Sequence, residues 1–263
     1  HKIENLLVKS KGIQECISWF SDNLVVVFPN TKFSFPSYNT ANKNNFMKDF
    51  SKFLKIFDTG IDDVEYKKID VNDTKLIPKD VQEKIRELPQ DGKTRLISIR
   101  QGDSLSYILY DGTSKFVIHK LTVVHKIVNS DKSESFNLEE ESDGTIRMFD
   151  LIPLLLDSSN EENVILIDEL NRSLHPSLTK NFIIKFLDVY ENKNNQIIFT
   201  THEENLLDLN LFRKDEIWFV EKNEKKQSKV FSLLEFKDVR FDKKIKDDYL
   251  IGRYGAIPDL LNY

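Results

Sequence analysis

A chain of 263 residues that is 40% hydrophobic and 31% charged holds enough apolar content for one large core or two modest ones, which excludes a disordered segment. A net charge of -5 and a pI near 5.7 exclude a global basic field for nucleic acid or acidic lipid, and the local basic patch at residues 240–246 reads as solvated surface. One cysteine, Cys16, excludes internal disulfides and cysteine zinc sites, and the lack of a ~18-residue apolar run or an apolar leader points to a cytoplasmic protein without a membrane partner.

The first periodic segment is residues 10–20, where Ile13, Cys16, Ile17 and Phe20 fall at i, i+3, i+4 and i+7 and predict a short amphipathic helix. Residues 24–28 are an apolar run stopped by Pro29, a predicted strand, and residues 31–41, rich in Ser and Asn around Pro36, are loop. A second helix from Asn42 sets Phe46, Phe50, Phe53, Leu54 and Phe57 on one face. That stripe is the pattern of a core rather than of a base-stacking surface. Asp58-Thr59-Gly60 ends the helix, Val64, Tyr66 and Ile69 alternate as in a strand, and residues 78–88 predict a short polar helix with Pro78 in its first turn.

Asp91-Gly92-Lys93-Thr94 ends like a phosphate-binding P-loop, but that loop requires a glycine where Glu87 stands, a buried strand before it and a helix after it. A hairpin turn accounts for the Asp-Gly pair instead. From residue 95 to 128 the alternation of Leu96, Ile97, Ile99, Leu105, Tyr107, Leu109, Val117, Val123 and Ile127, with a second Asp-Gly turn at Asp111-Gly112, predicts an antiparallel sheet. His119 and His125 lie inside it with no third ligand at metal-site spacing. Residues 129–135 are a polar loop.

Residues 163–169 organise the rest. Val164, Ile165, Leu166 and Ile167 predict a strand buried on both faces of a parallel sheet, with Asp168 and Glu169 at the carboxyl end where open α/β sheets place ligands. A metal-nucleotide ATPase uses the first such carboxylate to hold Mg2+ and the second to orient or deprotonate the attacking water. A pair of solvated acids at a strand end is the plain alternative. Upstream, Glu141-Ser142-Asp143-Gly144-Thr145 opens a helix carrying Ile146, Phe149, Ile152, Leu155 and Leu156, which Pro153 should kink or end. Its plain alternative is an Asp-Gly turn with Thr145 as N-cap. Downstream, a helix from Pro176 carries Leu178, Phe182, Phe186 and Tyr190, with His175 read as its cap. A second buried run, residues 196–201, ends in His202, which either faces a phosphate or caps a helix over residues 203–209. A strand at residues 216–220 and a charged turn at 221–226 lead into the tail.

Ser-x-Gly-Thr opening a helix, then strand-Asp-Glu, then strand-Thr-Thr-His is the order that resembles the signature loop, Walker B strand and switch histidine of ABC-type ATPases. Asp168-Glu169-Leu170-Asn171-Arg172-Ser173-Leu174-His175-Pro176, Phe199-Thr200-Thr201-His202 and the tail Tyr249-Leu250-Ile251-Gly252-Arg253-Tyr254-Gly255-Ala256-Ile257-Pro258 narrow this. Together they resemble the bacterial RloA/AbiL-type ATPases of the AAA_15/AAA_21 group, relatives of the overcoming-lysogenisation-defect, Rad50 and SMC ATPases, many of them implicated in defence against phage.

The resemblance implies an α/β fold: a P-loop NTPase, ABC-type head with parallel core strands and flanking helices, plus an antiparallel β and helical insertion. It divides the chain into residues 1–135, the insertion, and 136–263, the ATPase core. It implies ATP and Mg2+ as cofactors, with Asp168 on the metal and Glu169 and His202 as catalytic residues. Ser142, Gly144, Thr145 and Arg172 would bind nucleotide. Two copies would pair through the signature loop and the D-loop at residues 170–175, sandwiching nucleotide and gating an effector such as a nuclease or toxin in antiviral defence. A Rad50-, SMC- or RecF-like DNA-maintenance ATPase is the alternative, although no sustained heptads mark a coiled-coil arm. The departure is the absence of a GxxxxGK[ST] unit. Either a P-loop lobe is supplied in cis or in trans, or the chain is a non-catalytic scaffold for a partner nuclease or nucleic acid.

Overall fold

The computed structural model describes residues 11–33, 46–69, 83, 87, 89–93, 95–110, 116–156, 162–223, 225–237, 239 and 245–257. At its centre is a three-stranded parallel sheet in the order β1 (Leu24–Val27), β7 (Val164–Ile167), β8 (Gln196–Phe199). Its register aligns Val25, Ile165 and Ile197 in one row and Val27, Ile167 and Phe199 in another, all on the face that joins the main core. The two remaining rows, Leu24, Val164 and Gln196 and Val26, Leu166 and Ile198, face the other way, with Val26 38% and Ile198 54% exposed.

This corrects the expectation of a strand buried on both faces. Among the described residues, β7 alternates buried Ile165 and Ile167 with half-buried Val164 and Leu166, because the core packs against one side only. A continuous apolar run is compatible with either arrangement, and tertiary context decides which is realised.

Before β1 runs α1 (Lys11–Asp22), with Ile17 and Phe20 exposed. After it comes α2 (Phe46–Ile56), whose Phe50 and Leu54 are fully buried. Spacing of i, i+4, i+8 puts the aromatic stripe on one face, and the stripe is core: Phe50 meets Phe149 edge-on at 4.7 Å between ring centroids, and Phe57 lies 6.5 Å from Phe182.

The insertion is an antiparallel sheet of β2 (Asp63–Ile69), β3 (Arg95–Gln101), β4 (Ser104–Tyr110), β5 (Phe116–Lys126) and β6 (Ser133–Asn137). Long β5 is its spine, pairing β2 along one edge and β4, then β6, along the other. The Asp91-Gly92 turn is held by Asp91 Oδ1, which accepts the Lys93 amide at 3.1 Å, and by a two-pronged Arg95 contact at 2.8 and 2.7 Å that pulls the Asp91 carboxyl down to about 2. It is a turn leading into β3 and not a phosphate loop. Most of residues 78–88, all of Asp111-Gly112 and residues 240–244 of the basic patch lie outside the described residues.

From β6 the chain passes to α3 (Asp143–Leu151), which Pro153 ends as expected in a 3-10 turn, Ile152–Leu155. The crossover from β7 to β8 is α4 (Pro176–Val189), the usual route between parallel neighbours. The main core draws on both sides of residue 135, joining Phe50, Leu54 and Val123 to Phe149, Ile167, Phe182 and Phe186.

A second cluster gathers around the hairpin of β9 (Trp218–Lys222) and β10 (Ser228–Ser232) with α5 (Ile245–Leu250). Phe219 stacks on both Tyr249 and Tyr254. β9 therefore includes Glu221 and Lys222, which the sequence placed in a charged turn. Residues 203–209 are not a helix: only Glu204–Leu206 form a 3-10 turn.

Candidate functional site

β7 delivers Asp168 and Glu169 to the carboxyl edge of the parallel sheet, and the neighbouring strands fix them there. The Asp168 amide donates to Val27 O at 2.9 Å, continuing the β1 ladder by one residue. Thr200, the first residue beyond β8, holds both acids. Its hydroxyl donates to Asp168 Oδ1 at 2.6 Å and accepts the Glu169 amide at 2.8 Å, while its carbonyl accepts Leu170 N–H at 3.0 Å. Glu169 sits in the left-handed region at φ +48°, so the chain turns sharply off the strand and the two carboxylates do not continue its pleat.

Thr200→Val keeps the shape and deletes the hydroxyl, leaving an amide and a carboxylate oxygen without their partner. Because Thr200 is exposed and water can take the place of its hydroxyl, a loss of about 0.5–1.5 kcal/mol in urea unfolding is expected, with Thr200→Ser close to wild type.

The turn beyond Glu169 is tied to the segment after β8 by Asn171. Its Oδ1 accepts the Thr201 hydroxyl at 2.9 Å and the His202 amide at 3.3 Å, which places His202, exposed, on the same rim. The capping alternative for His202 is not realised: Glu203 caps the following turn through its own side chain. His175 does cap, its Nδ1 accepting the Ser177 amide at 3.2 Å at the start of α4.

Ser142 is the N-cap of α3, three residues before Thr145. Its Oγ accepts the Thr145 amide at 3.2 Å and lies 2.9 Å from the Thr145 hydroxyl. Gly144 brings this helix start against the turn that follows the two acids. A Cβ added at Gly144 would stand 2.8 Å from the Ser173 carbonyl oxygen, closer than real contacts come.

Gly144→Ala is therefore expected to displace the 170–174 turn and cost about 1–3 kcal/mol in thermal unfolding. Gly12→Ala, where nothing lies within 4 Å, is expected to cost nothing.

Sequence patterning missed Arg147. One turn into α3, it is 5% exposed, yet only its Nη1 reaches acceptors, the Phe28 and Pro29 carbonyls, both at 3.5 Å. Nε and Nη2 are buried without a hydrogen-bond partner. Burial lowers its pKa, Asp150 pulls it back up, nearby Arg172 lowers it further and Glu169 raises it. The available signal was a charged pair, Arg147 and Asp150, on a helix that is otherwise apolar on its core side.

Among the described residues no three His, Cys, Asp or Glu side chains gather into a self-sufficient metal site. The set fits Mg2+ held by one carboxylate, waters and phosphate oxygens, the usual way such ions sit in ATPases. Asp168, with one oxygen committed to Thr200, would hold it through the other.

The parallel sheet thus carries paired acids at the carboxyl end of its middle strand, beside a capped helix start, where open α/β sheets place ligands. The chain matches the family model described as "AAA domain, putative AbiEii toxin, Type IV TA system" over residues 15–208, and it belongs to that family. Membership places it among the ATPase-type nucleotide-binding proteins. No curated protein matches it. No helix among the described residues is long and apolar enough to cross a membrane.

Proposed function

We propose that the chain forms the hydrolytic edge of an ABC-type ATPase head, acting as a homodimer that gates an effector, a nuclease or toxin, in defence against phage. The observation that carries this is the convergence on one sheet edge. Thr200 binds Asp168 and the Glu169 backbone, Asn171 binds the 201–202 segment, and Gly144 rests against Ser173 of the same turn.

In this assignment Asp168 holds Mg2+, which neutralises phosphate charge when bound. Glu169 orients the attacking water, and His202 bonds the γ-phosphate. Ser142, the Gly144 amide and the Thr145 hydroxyl, at the start of nine-residue α3, present donors and partial positive charge to the nucleotide held by the second copy. Thr145's own amide is already committed to Ser142. Arg172, exposed on the turn, reaches phosphate or a partner carboxylate.

The phosphate-cradling lobe comes in cis or in trans, since the 263 residues contain no GxxxxGK[ST]. What supports such a lobe is the apolar outer row of the sheet, Val26, Leu166 and Ile198, in a fold class whose parallel sheets are covered on both faces. Mixing the chain with that lobe should give a co-purifying complex that turns over ATP. Neither co-purification nor turnover would retire the assignment.

A further inference from the structure

The guanidinium of Arg147 has no structural account in the fold as described. A buried arginine normally spends its donors on carboxylates or carbonyls, because an uncompensated buried charge opposes folding. Here the Nε and Nη2 edge is unfilled, and the two Nη1 contacts are long.

Three placements locate it. Gly144, one turn earlier on α3, abuts the Ser173 carbonyl; Arg147 Nη1 reaches the Phe28 and Pro29 carbonyls beyond β1; and the Asp168 amide joins Val27 O at the end of β1. The guanidinium therefore lies beneath the 168–173 turn. The charged groups around it are Asp150 on its own helix and Glu169 and Arg172 on that turn. Asp150 is also engaged elsewhere, accepting the Phe33 amide at 3.0 Å and the Lys32 ammonium at 3.1 Å. Among the described residues no hydrogen bond or ion pair engages the Glu169 carboxylate, so the acid on the turn is the one left to fill that edge.

We propose that Arg147 is a positioning residue for Glu169: the Nε and Nη2 edge receives one oxygen of the Glu169 carboxylate and aims the other at the attacking water. The inference rests on the ATPase assignment for its catalytic half. Its structural half, the pairing of Arg147 with Glu169, stands by itself. Glu169 projects from a turn whose φ values of +48° at Glu169 and +60° at Ser173 already depart from extended backbone. Because α3 also carries the Ser142 cap and Gly144, engagement of the helix start would be transmitted to the water-orienting carboxylate through one rigid element.

Two measurements separate the halves. In urea unfolding of the chain, Glu169→Gln is expected to lower the midpoint with Arg147 present, because the buried cation loses a counter-charge. In the Arg147→Met background, where no cation remains, the same change should leave the midpoint unmoved. Equal shifts in both backgrounds would overturn the pairing.

In the ATPase reconstituted with the P-loop lobe, Arg147→Met is expected to reduce kcat about 10- to 100-fold with KM within about twofold, as for other residues that orient a reacting group. Arg147→Lys should recover part of the loss, and adding Glu169→Gln to Arg147→Met should slow turnover no more than Glu169→Gln alone. A loss carried by KM, or fully additive losses, would overturn the positioning role. Absence of turnover in the unmutated complex would overturn the ATPase assignment and with it the catalytic half, while the unfolding cycle still decides the pairing.

Discussion

Glu169→Gln is expected to leave ATP bound to the reconstituted head and to slow its hydrolysis by roughly 100- to 10,000-fold, the range that a positioned acid-base group supplies. The substitution preserves length and shape. It leaves untouched the amide that Thr200 accepts and the Asp168 oxygen that Thr200 donates to, so the site's scaffold remains. On the proposed assignment, what is lost is the anionic oxygen that holds and polarises the water. Because binding energy from the triphosphate and Mg2+ is unaffected, the two heads should accumulate in the nucleotide-locked dimer, visible as a shift in elution on size exclusion with ATP. Asp168→Asn is the contrasting variant: it weakens metal and nucleotide binding together, so the dimer should not accumulate. Turnover of Glu169→Gln at the unmutated rate would remove Glu169 from the mechanism.

Parts of this site are legible in the sequence because they are local. Four successive aliphatic residues before Asp168 predict a strand whatever surrounds it, and Pro153 ends α3 by a clash within its own turn. The alternation of residues 95–128 likewise predicts the antiparallel insertion, since side chains repeat every second residue in any sheet.

What could not be read depends on distant segments meeting. Thr200 matters because β8 lies beside β7, which sets its hydroxyl between an acid 32 positions earlier and the amide of the next residue. One-sided burial of the parallel sheet depends on where the helices pack, and an apolar run carries no record of that. The helix that His202 was to cap over residues 203–209 does not form. Glu203 and Asp208 instead bond nearby backbone amides and break the segment into turns. Arg147 was hidden by the apolar rhythm of its neighbours.

Phe149→Ala is expected to destabilise the chain by about 3–5 kcal/mol, the cost of emptying a core site of this size. Phe149 is fully buried and meets Phe50 of α2 edge-on, so its loss opens a cavity between two elements that have no other way to close on each other without moving. For a protein of this length each kcal/mol lowers Tm by about 2–4 °C, so a drop on the order of 10 °C should appear in calorimetry. Phe20→Ala on α1, where the ring is 64% exposed, should stay within about 0.5 kcal/mol of the unmutated chain.

The comparison bears on the site because α3 belongs both to the core and to the edge proposed to be hydrolytic. The same helix that buries Met148, Phe149 and Leu151 carries Gly144 against Ser173 and holds the buried Arg147. Partial loosening of α3 at temperatures below the transition should therefore reduce hydrolysis more steeply in Phe149→Ala than its unfolded fraction accounts for. If Phe149→Ala cost no more than Phe20→Ala, α3 would not be anchored in the core, and the rigid placement of the helix start beside the two acids would have no support.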